Sequence, residues 1–224
     1  MRDFCLRCRK AKVTCYCAHL RPFEAGPVFV VLVHPREWKN SVGTGRMLHL
    51  SVSNSLLLQG CEFAGDERVN RLIADPGYHA TVLYPGRDSI DLSGHQADAQ
   101  VTGIVPAGKK LLVFVIDGTW DQARSMINKS PNLKALPQFR FTPDTRSIYR
   151  IREQPRDYCF STLEAVHWMI ERFDRLGVYR APAGRAHQSL LAVFDHMVRQ
   201  QLAYAAGKER RTAGVRVTAS VPSV

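Results

Sequence analysis

An unbroken apolar run, Leu-Leu-Val-Phe-Val-Ile, occupies residues 111–116 and stops at Asp117-Gly118. Its length and β-branched content predict a strand buried on both faces. The pattern then changes period. Trp120, Ala123, Met126 and Ile127 recur at offsets of three and four, which predicts a helix beginning just after the strand. Asp117 therefore falls at the carboxyl end of a central strand and the amino end of a helix. Open α/β sheets bind ligands there. A carboxylate at that point is either a helix cap or a catalytic group.

The same reading extends along the chain. Residues 28–33, Val-Phe-Val-Val-Leu-Val, predict a second buried strand, and residues 80–84 a third that ends at Pro85-Gly86. After the strand at 28–33 come His34-Pro35-Arg36-Glu37 and Gly43-Thr44-Gly45-Arg46. This is a glycine-bearing loop with neither the dinucleotide fingerprint nor the phosphate-loop pattern. Thr44 is placed to cap a helix over residues 46–58, and His34 and Arg46 fall near the ligand edge of the sheet. Residues 86–110 read as a connection with a short helix at most. Residues 128–143, with three prolines, read as irregular. Ser161-Thr162-Leu163-Glu164 has the form of a capping box, ahead of an apolar stripe at Leu163, Val166, Met169, Ile170 and Phe173. A last helix is expected over residues 184–205, with Leu190, Phe194, Met197 and Val198 inward. Strands alternating with helices predict an α/β fold, a mostly parallel sheet with helices on both faces.

Composition narrows the class. At 45% apolar and 23% charged residues, the chain has the make-up of a globular protein. No apolar stretch approaches the ~18 residues of a membrane span, and the amino terminus lacks a signal-peptide pattern. A cytoplasmic location and no membrane partner are expected, and the oligomeric state is left open. The formal net charge of +11 points to an anionic partner, nucleic acid first. Basic residues concentrate in residues 1–21, 140–156 and 199–224, either as one phosphate-tracking surface or as separate solvated faces.

Four of the six cysteines fall close together, Cys5, Cys8, Cys15 and Cys17. Thiols so clustered in a reducing compartment are better read as metal ligands than as disulfides. A four-sulfur set suits structural zinc first and an iron–sulfur centre second. The single residue between Cys15 and Cys17 departs from a generic zinc ribbon. All four positions being protein ligands leaves no open coordination position, so no catalysis is assigned there. Cys61 and Cys159 stand alone and are expected to be buried apolar groups. Arg152 and Gln154, in the loop ending at Pro155, could meet a carboxylate or phosphate. The first turn after Ser161 could do the same through its free N–H groups. The chain divides into a metal-binding arm at residues 1–24, an α/β body at 25–206 and a basic tail at 207–224.

Together these pieces resemble the DTW-domain family. The resemblance rests on the Cys5-x2-Cys8…Cys15-x-Cys17 arm, His34-Pro35-x-Glu37, Thr44-Gly45-Arg46, Tyr84-Pro85 and Asp117-Gly118-Thr119-Trp120 with Ala123. Arg152-x-Gln154-Pro155 and Ser161-Thr162-x-Glu164-Ala165 complete it. It spans residues 5 to about 200 in order and leaves out the tail. It implies a tRNA-uridine aminocarboxypropyltransferase, with S-adenosylmethionine as donor, uridine N3 as acceptor (commonly at about position 47, in the variable loop) and methylthioadenosine as by-product. It also implies relation to the knotted SPOUT class of α/β folds. On this reading Asp117, Thr119 and Trp120 belong to the catalytic motif. Asp117 acts as base or positioner, and Trp120 stacks on a base or packs the helix. His34, Thr44, Gly45, Arg46, Arg152, Gln154, Ser161, Thr162 and Glu164 belong to the donor side. There, Arg152 or Arg46 grips the donor carboxylate and Glu164 its ammonium. Two other readings remain: an S-adenosylmethionine-dependent RNA methyltransferase, and a zinc-containing RNA-binding protein without catalysis.

Overall fold

The computed structural model describes residues 3–40, 42–93, 105–149, 151 and 160–215. Its centre is a six-stranded, wholly parallel sheet: β1 (Val28–Val33), β2 (Ser55–Gln59), β3 (Tyr78–Leu83), β4 (Ile90–Asp91), β5 (Lys110–Asp117) and β6 (Gln138–Arg140). The spatial order is β2-β1-β5-β3-β6-β4. The helices are α1 (Pro35–Trp38), α2 (Gly45–Ser51), α3 (Glu67–Ala74), α4 (Trp120–Lys129), α5 (Pro131–Lys134), α6 (Thr162–Arg175) and α7 (Ser189–Val215). No helix among the described residues is long and apolar enough to cross a membrane.

The continuous apolar runs of β1 and β5 are explained by burial on both faces. Phe29, Val31, Leu111, Val113 and Val115 join one core with residues of α2, α6 and α7. Their alternates Val30, Leu32, Leu112 and Phe114 join a second core with Val69, Met126, Ile127 and Leu133. Side chains of a strand alternate between faces, so a strand covered on both sides needs apolar residues throughout. Each such side chain contributes about 1.5–3 kcal/mol.

β1 and β5 pair directly, Val33 opposite Asp117, and the His34 N–H donates to the Asp117 carbonyl at 2.9 Å. The chain leaves β1 toward β2 on one side and leaves β5 toward β6 on the other. Their carboxyl ends therefore form a topological switch point, where connections diverge and leave a crevice.

Several expectations are corrected. Residues 46–58 do not form one helix: α2 stops at Ser51 and residues 55–59 are the edge strand β2. Leucine favours helices locally, but parallel pairing with β1 overrides it. Asn54 makes the break, accepting from the Ala25 N–H at 2.9 Å and donating to the Ala25 and Pro27 carbonyls. The segment 86–110 contains the short strand β4, and its residues 94–104 lie outside the described residues. Residues 128–143 contain α5, with Pro131 in its first turn, and β6. The last helix starts at Ser189 rather than 184, because Gly184 and Arg185 lie in the left-handed region at φ 60° and 53°. It continues to Val215, so the segment expected as a tail from residue 207 begins inside it.

The amino-terminal arm is docked onto the body. Cys8, Tyr16, Leu20 and Phe23 are buried in the core cluster that holds α7 residues Leu190, Phe194 and Met197. Ser189 Oγ of α7 also donates to the Arg21 carbonyl at 3.1 Å.

Candidate active site and metal centre

Asp117 ends β5 and is 5% exposed. Thr162 Oγ1, at the start of α6, donates to its Oδ1 at 2.6 Å. On the other side the carboxylate lies against Gly45, where any Cβ would come within 2.5 Å of Oδ2. Glycine is required at 45 because backbone and carboxylate approach so closely. The motif residues Gly45, Asp117 and Thr162, far apart in sequence, thus meet at the switch point.

The next residues have divided duties. Thr119 caps α4: its hydroxyl accepts from the Gln122 N–H at 3.3 Å, and Gln122 Oε1 accepts from the Thr119 N–H at 2.8 Å. The cap is therefore Thr119, not Asp117. Trp120 is 46% exposed, more open than a residue serving only to pack a helix on a sheet.

Two cavities lie beside Asp117. One, of about 300 Å³, is walled by Tyr84, Trp120, Phe139, Phe141 and Phe160, with Gly118, Arg140 and Thr162 at its edge. Phe141 stacks on Trp168 at 4.1 Å between centroids, which fixes that aromatic wall. The other cavity, of about 590 Å³, is lined by Asp117 and Arg46, by Arg9 and Lys10 of the arm, and by Trp38 and Tyr204. Two guanidinium groups lie over the Trp38 ring, Arg46 at 4.2 Å and Arg9 at 5.2 Å from its centroid. Arg46 Nη2 is buried with no hydrogen-bond partner among the described residues. Burial, and next the charge of Arg9, lowers the Arg46 pKa. Burial likewise pulls Lys10 down to about 8. A buried cationic group of this kind favours an anion.

The other sequence candidates lie around this centre. His34 caps α1, its Nδ1 accepting from the Arg36 N–H at 3.2 Å. Its Nε2 faces Cys61 Sγ at 3.5 Å. Cys61 is exposed, contrary to expectation, because it follows the edge strand β2 on the open side of the sheet. Cys159 lies outside the described residues. Thr44 precedes α2, yet its side chain makes no capping bond. Ser161 and Glu164 form the reciprocal capping box of α6. The buried Glu164 carboxylate also accepts from Ser147 Oγ at 2.9 and 3.0 Å and from the Ile148 N–H at 2.8 Å. It anchors the loop before α6. Arg152 and Gln154 lie outside the described residues. Sequence reasoning named Tyr84 and Trp120 and counted Lys10 among the basic residues of 1–21, but it passed over Trp38 and the wall residues Phe139, Phe141 and Phe160. Of these, only Trp38, an isolated aromatic residue flanked by Glu37 and Lys39, left a local signal.

The four arm cysteines converge, with all four sulfurs within 4.8 Å of one another. Cys5 and Cys17 are 3.7 Å apart, as are Cys8 and Cys15. Zn–S bonds of about 2.3 Å in a tetrahedron give S···S distances of about 3.8 Å, so the set fits a four-thiolate metal ion. Backbone N–H groups of Cys8 and then Arg7 bring the Cys5 thiol down to about 6. Burial pushes Cys8 and Cys17 up. Four thiolates in so small a volume would need a cation among them, so the cluster could hold a metal ion.

Fold and site together define an open parallel α/β protein with a ligand crevice at its switch point and a four-cysteine cluster, able to bind a metal, docked beside it. Comparison with known proteins places it further. The DTW domain matches residues 2–202, and the chain belongs to the DTW-domain family. It is similar to tRNA-uridine aminocarboxypropyltransferase 2 of Drosophila melanogaster, 35% identical over 170 residues, covering 73% of this chain and 63% of that protein. It is also similar to the protein of the same name from Mus musculus, 28% identical over 167 residues, covering 73% of this chain and 54% of that protein. The chain thus spans less than two thirds of the length of these relatives. No solved structure matches it.

Proposed function

We propose that this chain transfers the 3-amino-3-carboxypropyl group of S-adenosylmethionine to N3 of a uridine in tRNA, at about position 47, and that the two substrates meet at Asp117. One observation carries the reading: the buried Asp117–Thr162 pair stands where an aromatic cavity and a cationic cavity adjoin. Membership of the family and the names of the relatives supply the reaction class.

The aromatic cavity takes the donor's adenosine, Trp120 offering a stacking face. The cationic cavity takes the acceptor nucleotide, its base against Trp38 or Tyr204. Arg46 lines the same cavity as Asp117 and holds the carboxylate of the transferred arm. Arg152 and Gln154 assist on the strength of the resemblance alone. The donor supplies an electrophilic carbon next to a sulfonium leaving group. The protein selects which carbon reacts by fixing the donor's orientation. Asp117 accepts or orients the uracil N3–H, and Thr162 holds that carboxylate in place. Thr119, Ser161 and Glu164 position the helix ends around the site, while His34, Thr44 and Gly45 shape its loop. The four cysteines hold a structural zinc ion, and the arm presents Arg7, Arg9 and Lys12 to the RNA backbone. The wholly parallel sheet accords with a SPOUT-like, knotted body, and the chemistry with a cytoplasmic location.

Analysis of the small-molecule product tests the reaction class. With unmodified tRNA and S-adenosylmethionine, the chain should release methylthioadenosine in proportion to modified uridine. Release of S-adenosylhomocysteine would mean methyl transfer. No donor consumption across a complete tRNA pool, by metal-loaded folded protein, would leave an RNA-binding role.

A further inference from the structure

A second group of metal-ligand side chains lies away from the crevice. His167 and Glu171 are one turn apart on α6, so they share a face. His187 meets them from the 3-10 segment Ala183–Gln188 and is fully buried. One ligand atom from each of the three lies within 4.8 Å of the others. The two imidazole centroids are 5.3 Å apart.

We infer that His167, Glu171 and His187 form a second metal site, separate from the four cysteines, that takes a borderline divalent transition-metal ion, zinc first. Three observations converge. The donor set of two imidazoles and one carboxylate is one that zinc accepts, with a fourth position for water. His167 Nε2 and His187 Nδ1 are both buried without a hydrogen-bond partner among the described residues, although such nitrogens are nearly always satisfied. The backbone is also shaped to deliver His187: Gly184 and Arg185 are both left-handed, and for Arg185 that conformation is unfavourable.

A simple staple is the competing explanation. His187 Nε2 lies 2.6 Å from Glu171 Oε1, and that bond alone would tie the 3-10 segment to α6. It does not account for His167 in the same group, nor for its orphaned Nε2. The Arg185 guanidinium bonds the other Glu171 oxygen and lies 3.9 Å from Asp174 Oδ2. Supporting bonds of this kind orient a carboxylate ligand. The ion would clamp the start of α7 onto α6, the helix whose first turn carries Thr162. The inference does not depend on the reaction proposed above.

The test uses the full chain, stripped with chelator and titrated with Co²⁺, with bound metal counted by elemental analysis. Thiolate-to-cobalt charge transfer reports the cysteine site, and weaker ligand-field bands report a nitrogen–oxygen site. Wild type should bind a second equivalent without added charge-transfer absorption. His167→Ala and His187→Gln should each lose that equivalent while keeping the thiolate bands and a native circular dichroism spectrum. Glu171→Gln should weaken it by about tenfold or more. Cys17→Ser should weaken and shift the thiolate bands and keep the second equivalent. Wild type binding only the thiolate-held ion would overturn the inference. So would a second equivalent that survives both histidine variants.

Discussion

Asp117 draws its position from two neighbours with different means of control. Thr162 holds it by a hydrogen bond, and Gly45 admits it by having no side chain. Thr162→Val removes a bond to a buried carboxylate, an interaction worth about 1.5–3 kcal/mol when the acceptor is charged. The single-turnover transfer rate should fall roughly tenfold to a hundredfold, and folding stability should fall by about the same 1.5–3 kcal/mol. A rate within twofold of wild type would mean that Thr162 does not orient the reacting group. Gly45→Ala places a methyl group against the carboxylate and should be at least as damaging to rate. At this scale the sequence was informative about identity and weak about role. Asp117 was legible as the end of a strand, but whether it capped the helix was not, since Thr119 is an equally good cap two residues on. His49 gives a pH dependence. It is half-buried, bonded to Ser55 Oγ at 3.0 Å, and burial lowers its pKa. The unfolded state therefore binds the proton more readily. The stability this group contributes is present above its ordinary pKa, near 6.5, and is lost as pH falls through the lowered folded value. Denaturant titrations over this range should show a smaller acid-side loss in His49→Gln than in wild type.

Among the elements, α6 shows how much a short pattern can hold. Its Ser161–Glu164 capping box was visible from spacing alone, and both reciprocal bonds form. The further bonds from Glu164 to Ser147 and Ile148 were not visible, because they join segments through tertiary contact. Glu164→Ala leaves those buried donors unsatisfied as well as removing the cap, so it should destabilise the chain by on the order of 3 kcal/mol. A urea midpoint unchanged from wild type would contradict the anchoring role. The strands β1 and β5 were legible because burial on both faces leaves a continuous apolar run. Strand β2 was not: Leu56 is 41% exposed and Leu58 buried, a pattern too short to outweigh leucine's helical tendency. Strands β4 and β6 are shorter still, and their pairing partners alone define them.

At the scale of the molecule, the arm and body share one core, so the cysteine cluster reaches the site through packing. Cys8 and Tyr16 are buried within that core, and Arg9 and Lys10 line the cationic cavity. If the four cysteines hold a metal ion, as proposed, its chelation should therefore expose Tyr16 and weaken tRNA binding while leaving the parallel sheet folded. Tyrosine fluorescence, far-ultraviolet circular dichroism and a filter-binding titration would follow the three effects together. Loss of all signals at once would mean that the arm is integral to the stability of the whole chain. The sheet's overall character could be anticipated from alternating strands and helices, but the switch point could not. It exists because β5 inserts between β1 and β3, an order that no local pattern encodes. The most direct test of the central claim is nucleoside mass spectrometry of tRNA treated with S-adenosylmethionine and either wild type or Asp117→Asn. The account predicts a uridine carrying one 3-amino-3-carboxypropyl group with wild type and little or none with the folded variant. A methylated nucleoside, or equal product from both proteins, would contradict it.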